Sequence, residues 1–433
     1  METGKKQGGN VAAIATMFAL FFMIAFVTNF AGSMAVVAKN QFNASATASQ
    51  LGSAANFFAY LFMGIPAGKM LMKVGYKKTT LIALATGFVG VGIEYLSSLS
   101  ILGGSAVYVY LLGAFVCGFC VCMLNTVVNP MLNILGGGGN RGNQYIQIGG
   151  TLNSLAGTLT PLLIGVLIGT VSEKTAMSDV APLLFIAMGV FAVAFVIIAL
   201  VTIPEPARQR KTVSFAHSAW NFRHCVLGTV AIFFYVGVEI GIPAQLNFYL
   251  SDPSEKGAGI LENGAAIGGA IVAVYWLLMM AGRFLSTLIS GKVSTRVQLS
   301  VMCSVAIVLV VSAICIPKTI SVQMPGYSAA DGFALFNVPL SSLLLVLCGL
   351  CTSIMWGCIF NLSVEGLGKY TEQASGIFMM MCVGGGIMPL IQEFIAKNAG
   401  YFASYWLVVA MLAYLLYYAL WGSRNVNPDI PTW

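Results

Sequence analysis

Twelve apolar stretches of membrane-spanning length occupy nearly the whole chain, and the basic residues sort onto alternate ends of them. A spanning helix needs about 20 apolar residues. The stretches at roughly 11–37, 48–72, 79–101, 105–132, 144–170, 182–203, 223–250, 262–290, 296–317, 338–362, 373–398 and 401–422 meet that length. Twelve crossings put both termini on one side. Of the 21 Lys and Arg, 16 then fall on the terminal side and 5 on the other. Cytoplasmic loops attract positive charge, so both termini are placed in the cytoplasm. The same bias accounts for the net charge of +7, with no nucleic-acid partner required. Charged residues make up only 8% of the chain, against roughly 25% in a soluble domain. The chain reads as an all-α polytopic membrane protein that works as a monomer in the lipid bilayer.

The first apolar stretch is too long for a signal-peptide core and lacks a convincing cleavage site, so it is read as the first span. The loops are short and leave no room for an added catalytic domain. Ten cysteines, among them Cys117, Cys120, Cys122, Cys348 and Cys351, all lie in the apolar stretches. Cysteine is small and easily buried, and no histidine accompanies these at metal-ligand spacing. They are read as packing residues. Neither a metal cofactor nor an enzymatic activity is expected, since no nucleophile–base pair falls on plausible spans.

Residues 205–220 form the longest inner connection, polar and basic, with six spans on each side. This divides the chain into 1–204, a linker at 205–220, and 221–433. The halves echo each other. Phe26-Val27 with Gly32 matches Tyr235-Val236 with Gly241, and Ala67-Gly68-Lys69 matches Ala281-Gly282-Arg283. Cys117-Gly118-Phe119-Cys120 matches Cys348-Gly349-Leu350-Cys351, and Pro161-Leu162-Leu163 matches Pro389-Leu390-Ile391. Duplicated halves place a substrate site at their interface near the bilayer midplane, exposed to each side in turn.

Gly68 through Lys78 reads G-K-M-L-M-K-V-G-Y-K-K between spans two and three. This resembles the cytoplasmic loop signature of the major facilitator superfamily, with Gly68, Gly75, Lys73, Lys77 and Lys78 in place. The acidic residue usual in that signature is Met72 here. Leu124-Asn125-Thr126-Val127-Val128-Asn129-Pro130, Thr151-Leu152-Asn153-Ser154, Gly282-Arg283-Phe284, Ser353-Ile354-Met355-Trp356 and Gly384-Gly385-Gly386-Ile387 resemble the fucose permease family of sugar–cation symporters. The resemblance runs from about residue 15 to 420. It implies the major facilitator fold, twelve transmembrane helices in two six-helix halves, and uptake of a hexose, deoxyhexose or amino sugar with H+ or Na+. The fucose-transporting members look acidic where this chain has Asn29 and Asn125. Tyr235-Val236-Gly237-Val238-Glu239 instead resembles the glucose/galactose branch. The pattern also assigns Arg283 and Lys73 to gating.

Only Glu94 and Glu239, of 14 acidic residues, sit well inside a span. A charge at bilayer depth costs at least about 2.5–3.5 kcal/mol, so such a carboxylate starts as a functional candidate. Glu239 lies near the midplane by residue count, at the depth of Asn29, and the two are assigned to cation coupling. Na+ at Glu239 is one option and a proton the other. Glu94 is placed near an outer end, within reach of water. Sugar recognition needs several converging hydrogen bonds, each modest. Asn125 and Asn129 stand at i and i+4 on one helix face. Asn153, between Gly149 and Gly157, lies at Asn125's depth and is expected to share its cluster. Trp356, at the matching position of the second half, can stack on a sugar ring and donate through its indole N–H. Gln245, Asn247 and Asn361 complete the substrate candidates. Arg283, near an inner helix end, has two readings: a side chain snorkelling to water, or a contact between the halves.

The expectation is a cation-coupled symporter of a neutral hexose such as glucose or galactose in a bacterial inner membrane, with no cofactor beyond the coupling ion. The alternatives are a symporter of fucose or N-acetylglucosamine, and a receptor or scaffold on the same fold that transports nothing.

Overall fold

The computed structural model describes residues 11–28, 46–99, 105–168, 181–205, 217–260, 264–328, 332–427 and 429–432. Helices α1 (Val11–Thr28), α2 (Ala46–Leu96), α3 (Ala106–Leu135), α4 (Gly139–Ile168) and α5 (Ala181–Leu200) come before the linker. After it come α6 (Arg223–Ser251), α7 (Gly264–Ile289), α8 (Thr295–Cys315), α9 (Leu340–Thr352), α10 (Met355–Val364), α11 (Thr371–Met380), α12 (Gly384–Ala399) and α13 (Tyr401–Tyr417). Among the described residues, ten stretches are long and apolar enough to cross a membrane. One of them, Ala55–Leu96, has 42 residues, which is enough for two crossings of about 20.

That long stretch turns back at Gly75, whose backbone takes φ 87 and ψ 177 inside α2. A side chain is disfavoured at positive φ. A β-carbon on Gly75 would also strike the Glu205 carboxylate. Glu205 accepts from the Tyr76 N–H at 2.7 Å and the Lys77 N–H at 2.9 Å. It thereby caps the start of the second segment of α2, where unpaired N–H groups attract an anion. The signature's missing acid at Met72 thus has a partial substitute from the start of the linker. Lys73 is exposed two residues before the bend.

The spans read at 338–362 and 373–398 are each broken. α9 ends at Thr352 and α10 starts at Met355, while a short 3-10 turn at Met381–Val383 joins α11 to α12. The segment 318–337, read from sequence as a loop, contains a hairpin. Strands β1 (Ser321–Ser328) and β2 (Gly332–Pro339) pair antiparallel from Ser321↔Pro339 to Ser328↔Gly332. Its pattern has a period of two: Met324 and Val338 are buried while Gln323, Pro325, Leu335 and Asn337 are exposed. An all-helical reading of this chain misses that sheet.

The halves meet most closely where α2 crosses α11. A β-carbon on Gly376 would lie 2.7 Å from the Gly64 carbonyl oxygen, so only glycine lets these backbones approach. Hydrogen bonds between the halves gather toward the Gly75 side of the molecule. Tyr76 donates to Glu372 at 3.3 Å, Asn133 to Asn361 Oδ1 at 2.6 Å, Gln144 to the Thr287 carbonyl at 2.8 Å and Gln147 to the Ile354 carbonyl at 2.9 Å. This is the side to which most of the basic residues sort.

Candidate substrate and coupling site

Two prolines shape the centre. Pro243 in α6 has no N–H to give the carbonyl of Glu239, four residues earlier. The Tyr275 hydroxyl on α7 donates to that carbonyl at 3.3 Å and also lies 3.0 Å from the Thr352 hydroxyl. Tyr235 donates to the Thr352 carbonyl at 3.2 Å. Pro130 in α3 likewise deprives the Thr126 carbonyl of its partner. There Ser375, on α11 of the other half, donates at 3.1 Å.

Glu239 is paired with Arg283. Arg283 Nη2 donates to Glu239 Oε1 at 3.2 Å, and the two side chains are 11% (Arg283) and 13% (Glu239) exposed. The rest of the guanidinium reaches three further partners. Nε donates to the Ser353 carbonyl at 3.1 Å, while Nη1 donates to Ser154 Oγ at 2.8 Å and the Gly150 carbonyl at 3.3 Å. Gly150 and Ser154 belong to α4, in the half before the linker. The snorkelling reading is therefore overturned. Side chains on a helix lean toward its N-terminus, which for α7 is the end away from Ile289. Arg283 is accordingly directed inward along the helix, and its planar fork of donors suits a carboxylate plus several carbonyls.

The amide candidates form a second group. Asn125 donates to the Tyr60 hydroxyl at 2.9 Å, and Asn129 donates to the Asn125 carbonyl at 2.9 Å. Trp356 donates its indole N–H to Asn129 Oδ1 at 3.1 Å. Its ring stands edge-on to Tyr235 and Phe378, with centroids at 6.3 and 5.8 Å. Asn153 does not share this bonding in the structure. It donates to the Phe21 carbonyl of α1 at 2.9 Å, so similar depth did not mean a common face. Asn361 is tied to Asn133 and donates to Thr295 at 3.1 Å. Gln245 and Asn247 are on α6, each with a buried carbonyl oxygen lacking a partner. Asn29 lies outside the described residues. Glu94 does not reach water: it is 1% exposed.

A model of the Major Facilitator Superfamily matches residues 16–389. The chain belongs to this superfamily. It is similar to the glucose/galactose transporter of Brucella abortus, with 32% identity over 95% of this chain and 94% of that protein. It also resembles the L-fucose-proton symporter of Escherichia coli, with 23% identity over 90% of this chain and 88% of that one. Among solved structures, the superfamily transporter FucP in the outward conformation superposes with a TM-score of 0.78 and 19% identity, covering 96% of this chain and 100% of that one. The proton:xylose symporter XylE superposes with a TM-score of 0.66 and 10% identity, covering 94% and 95%. These two share the fold.

Sequence reasoning missed Tyr60, Tyr235, Tyr275, Thr352 and Ser375 in this superfamily member. For Tyr275 and Ser375 the advance signal was proline, because a Pro inside a span leaves a carbonyl that some neighbour must satisfy.

Proposed function

We propose that this chain carries a neutral hexose such as glucose or galactose into a bacterial cell together with H+ or Na+, by alternating access between two six-helix halves. Twelve crossings put both termini on one side, which the excess of basic residues makes the cytoplasmic one, and one chain forms the whole path. Asn125, Asn129 and Trp356 form the core of the sugar site. Glu239 and Asn29 serve the cation, and Arg283 links that cation site to the opposite half. The observation that carries the reading is the single guanidinium bonded at once to Glu239 and to Gly150 and Ser154 across the interface. A change of charge or coordination at Glu239 alters what holds Arg283, and so alters the contact between halves. The similarity to a glucose/galactose transporter supports the sugar class.

Purified protein in vesicles should accumulate labelled glucose or galactose when a pH or Na+ gradient is imposed separately. Glu239→Gln should abolish accumulation while part of the gradient-free sugar exchange survives. Full accumulation by that variant would place coupling elsewhere. L-fucose is the runner-up substrate, favoured by the second relative, and belongs in the same assay as a competitor. For orientation, a cysteine at Ser214 should react with an impermeant reagent only from the cytoplasmic side.

A further inference from the structure

Glu94 and Glu239 sit in opposite electrostatic settings, although both are carboxyl groups at membrane depth. Glu239 has Arg283. Glu94, near the end of α2, is 1% exposed, and its oxygens meet no hydrogen-bond donor beyond the weak one of the Cys117 thiol. None of the ion pairs among the described residues includes it. It borders a narrow cavity lined by Phe26 and Val27 of α1, Val91 of α2, Cys117 of α3, and Ala187 and Phe191 of α5. The gap is too narrow for a water molecule, so hydration cannot stabilise a charge there. The fit around the side chain is specific. A β-carbon on Gly113 of α3 would lie 2.6 Å from Glu94 Cγ, so glycine clears the space the side chain occupies.

The facing groups can be named element by element. From α3, the Cys117 thiol and the Tyr110 phenol face Glu94. A thiol is a weak donor at most. From α1 and α5 only apolar side chains line the cavity. Among the described residues of these elements, no cation stands opposite. An isolated carboxylate in such a bed is costly, and the ligand that removes the cost is a proton.

We propose that Glu94 is a proton-binding site of the first half, separate from the Glu239–Arg283 pair, and that it carries the proton in transport. This rests on reading the chain as a sugar–cation symporter. The carboxylate takes up one proton to form the carboxylic acid, with no other bond made or broken, and releases it when the cavity between α1, α2, α3 and α5 opens to water. Two carboxyl groups in contrasting settings commonly divide such roles. Here Glu239 answers to the coupling cation through its contact with arginine, while Glu94, with no cation beside it, loads and unloads a proton of its own.

The test compares wild type, Glu94→Gln and Glu239→Gln, each purified and reconstituted. Infrared difference spectra between acid and alkaline buffer should show the carbonyl band of a titrating carboxylic acid in wild type and in Glu239→Gln, and lose it in Glu94→Gln. Sugar uptake by Glu94→Gln should fall to the level seen without a pH gradient, while sugar exchange at equal pH persists and shows the variant is folded. An unchanged band in Glu94→Gln, or an intact response to the pH gradient, overturns the proposal. If wild type moves none of the sugars, the symporter reading fails, and the infrared comparison alone decides whether Glu94 binds the proton.

Discussion

Trp356 donates its indole N–H to Asn129 Oδ1 at 3.1 Å, and the bond joins helices from opposite halves of the chain. Both residues are also sugar candidates, so in this state the halves satisfy each other with groups that a sugar would otherwise engage. On the proposed sugar site, closure and binding would compete for the same donor and acceptor.

The competition is testable by truncation. Asn129→Ala removes a buried amide that serves Trp356 and the Asn125 carbonyl. Sugar affinity should weaken by about 1–3 kcal/mol. Trp356→Phe keeps the ring against Tyr235 and Phe378 but drops the N–H, and should weaken it by about 0.5–1.5 kcal/mol. Titration with sugar checks both. Unchanged affinity in both variants, with altered transport rates, would assign the pair to closure alone.

Arg283 should be intolerant of lysine. The guanidinium reaches Glu239, Ser353, Ser154 and Gly150 with its three nitrogens, and a single ammonium cannot reproduce that fork. Arg283→Ala leaves Glu239 without its cation and should lower stability by about 3–5 kcal/mol. The double variant Arg283→Ala with Glu239→Gln should recover much of that loss, because no charge is left unpaired. Thermal unfolding in detergent measures the cycle. Additive losses would mean the pair is not coupled.

The sequence shows which residues are confined to the membrane, because length and charge sorting are one-dimensional signals. It shows Glu239 for the same reason. It does not show that Arg283 meets Glu239, since the two lie on different helices and residue counting placed Arg283 toward the inner end. Depth alone also grouped Asn153 with Asn125, whereas rotation about the helix axis turns Asn153 toward Phe21. The hairpin at 321–339 was obscured by Pro325 and by glycines that read as loop. Glu94's burial depended on Gly113 making room, which no local pattern announces.

The bend at Gly75 should depend on Glu205. Glu205→Ala leaves the Tyr76 and Lys77 N–H groups uncapped and should lower stability by about 0.5–2 kcal/mol. Gly75→Ala should be worse than loss of the cap alone, because the new methyl faces the Glu205 carboxylate and the positive φ is strained. Melting temperatures of the two variants rank them. Equal melting would mean the bend relaxes without penalty.

The Tyr275 hydroxyl replaces a hydrogen bond that Pro243 cannot make, and this gives a prediction with a built-in rescue. Tyr275→Phe removes the donor to the Glu239 carbonyl, which lies inside α6 with no helical N–H to turn to. Leaving that carbonyl unmatched should lower stability by about 1–3 kcal/mol. Pro243→Ala returns an N–H at the position four residues after Glu239, where the ordinary helical bond would form. The double variant should therefore melt close to wild type, although each residue lies on a different helix. Sugar transport adds a second measurement. If Pro243 exists to keep α6 deformable beside Glu239, the double variant should be stable yet slow in gradient-driven uptake. Normal uptake would show that the break in α6 is a packing feature that the transport cycle does not use.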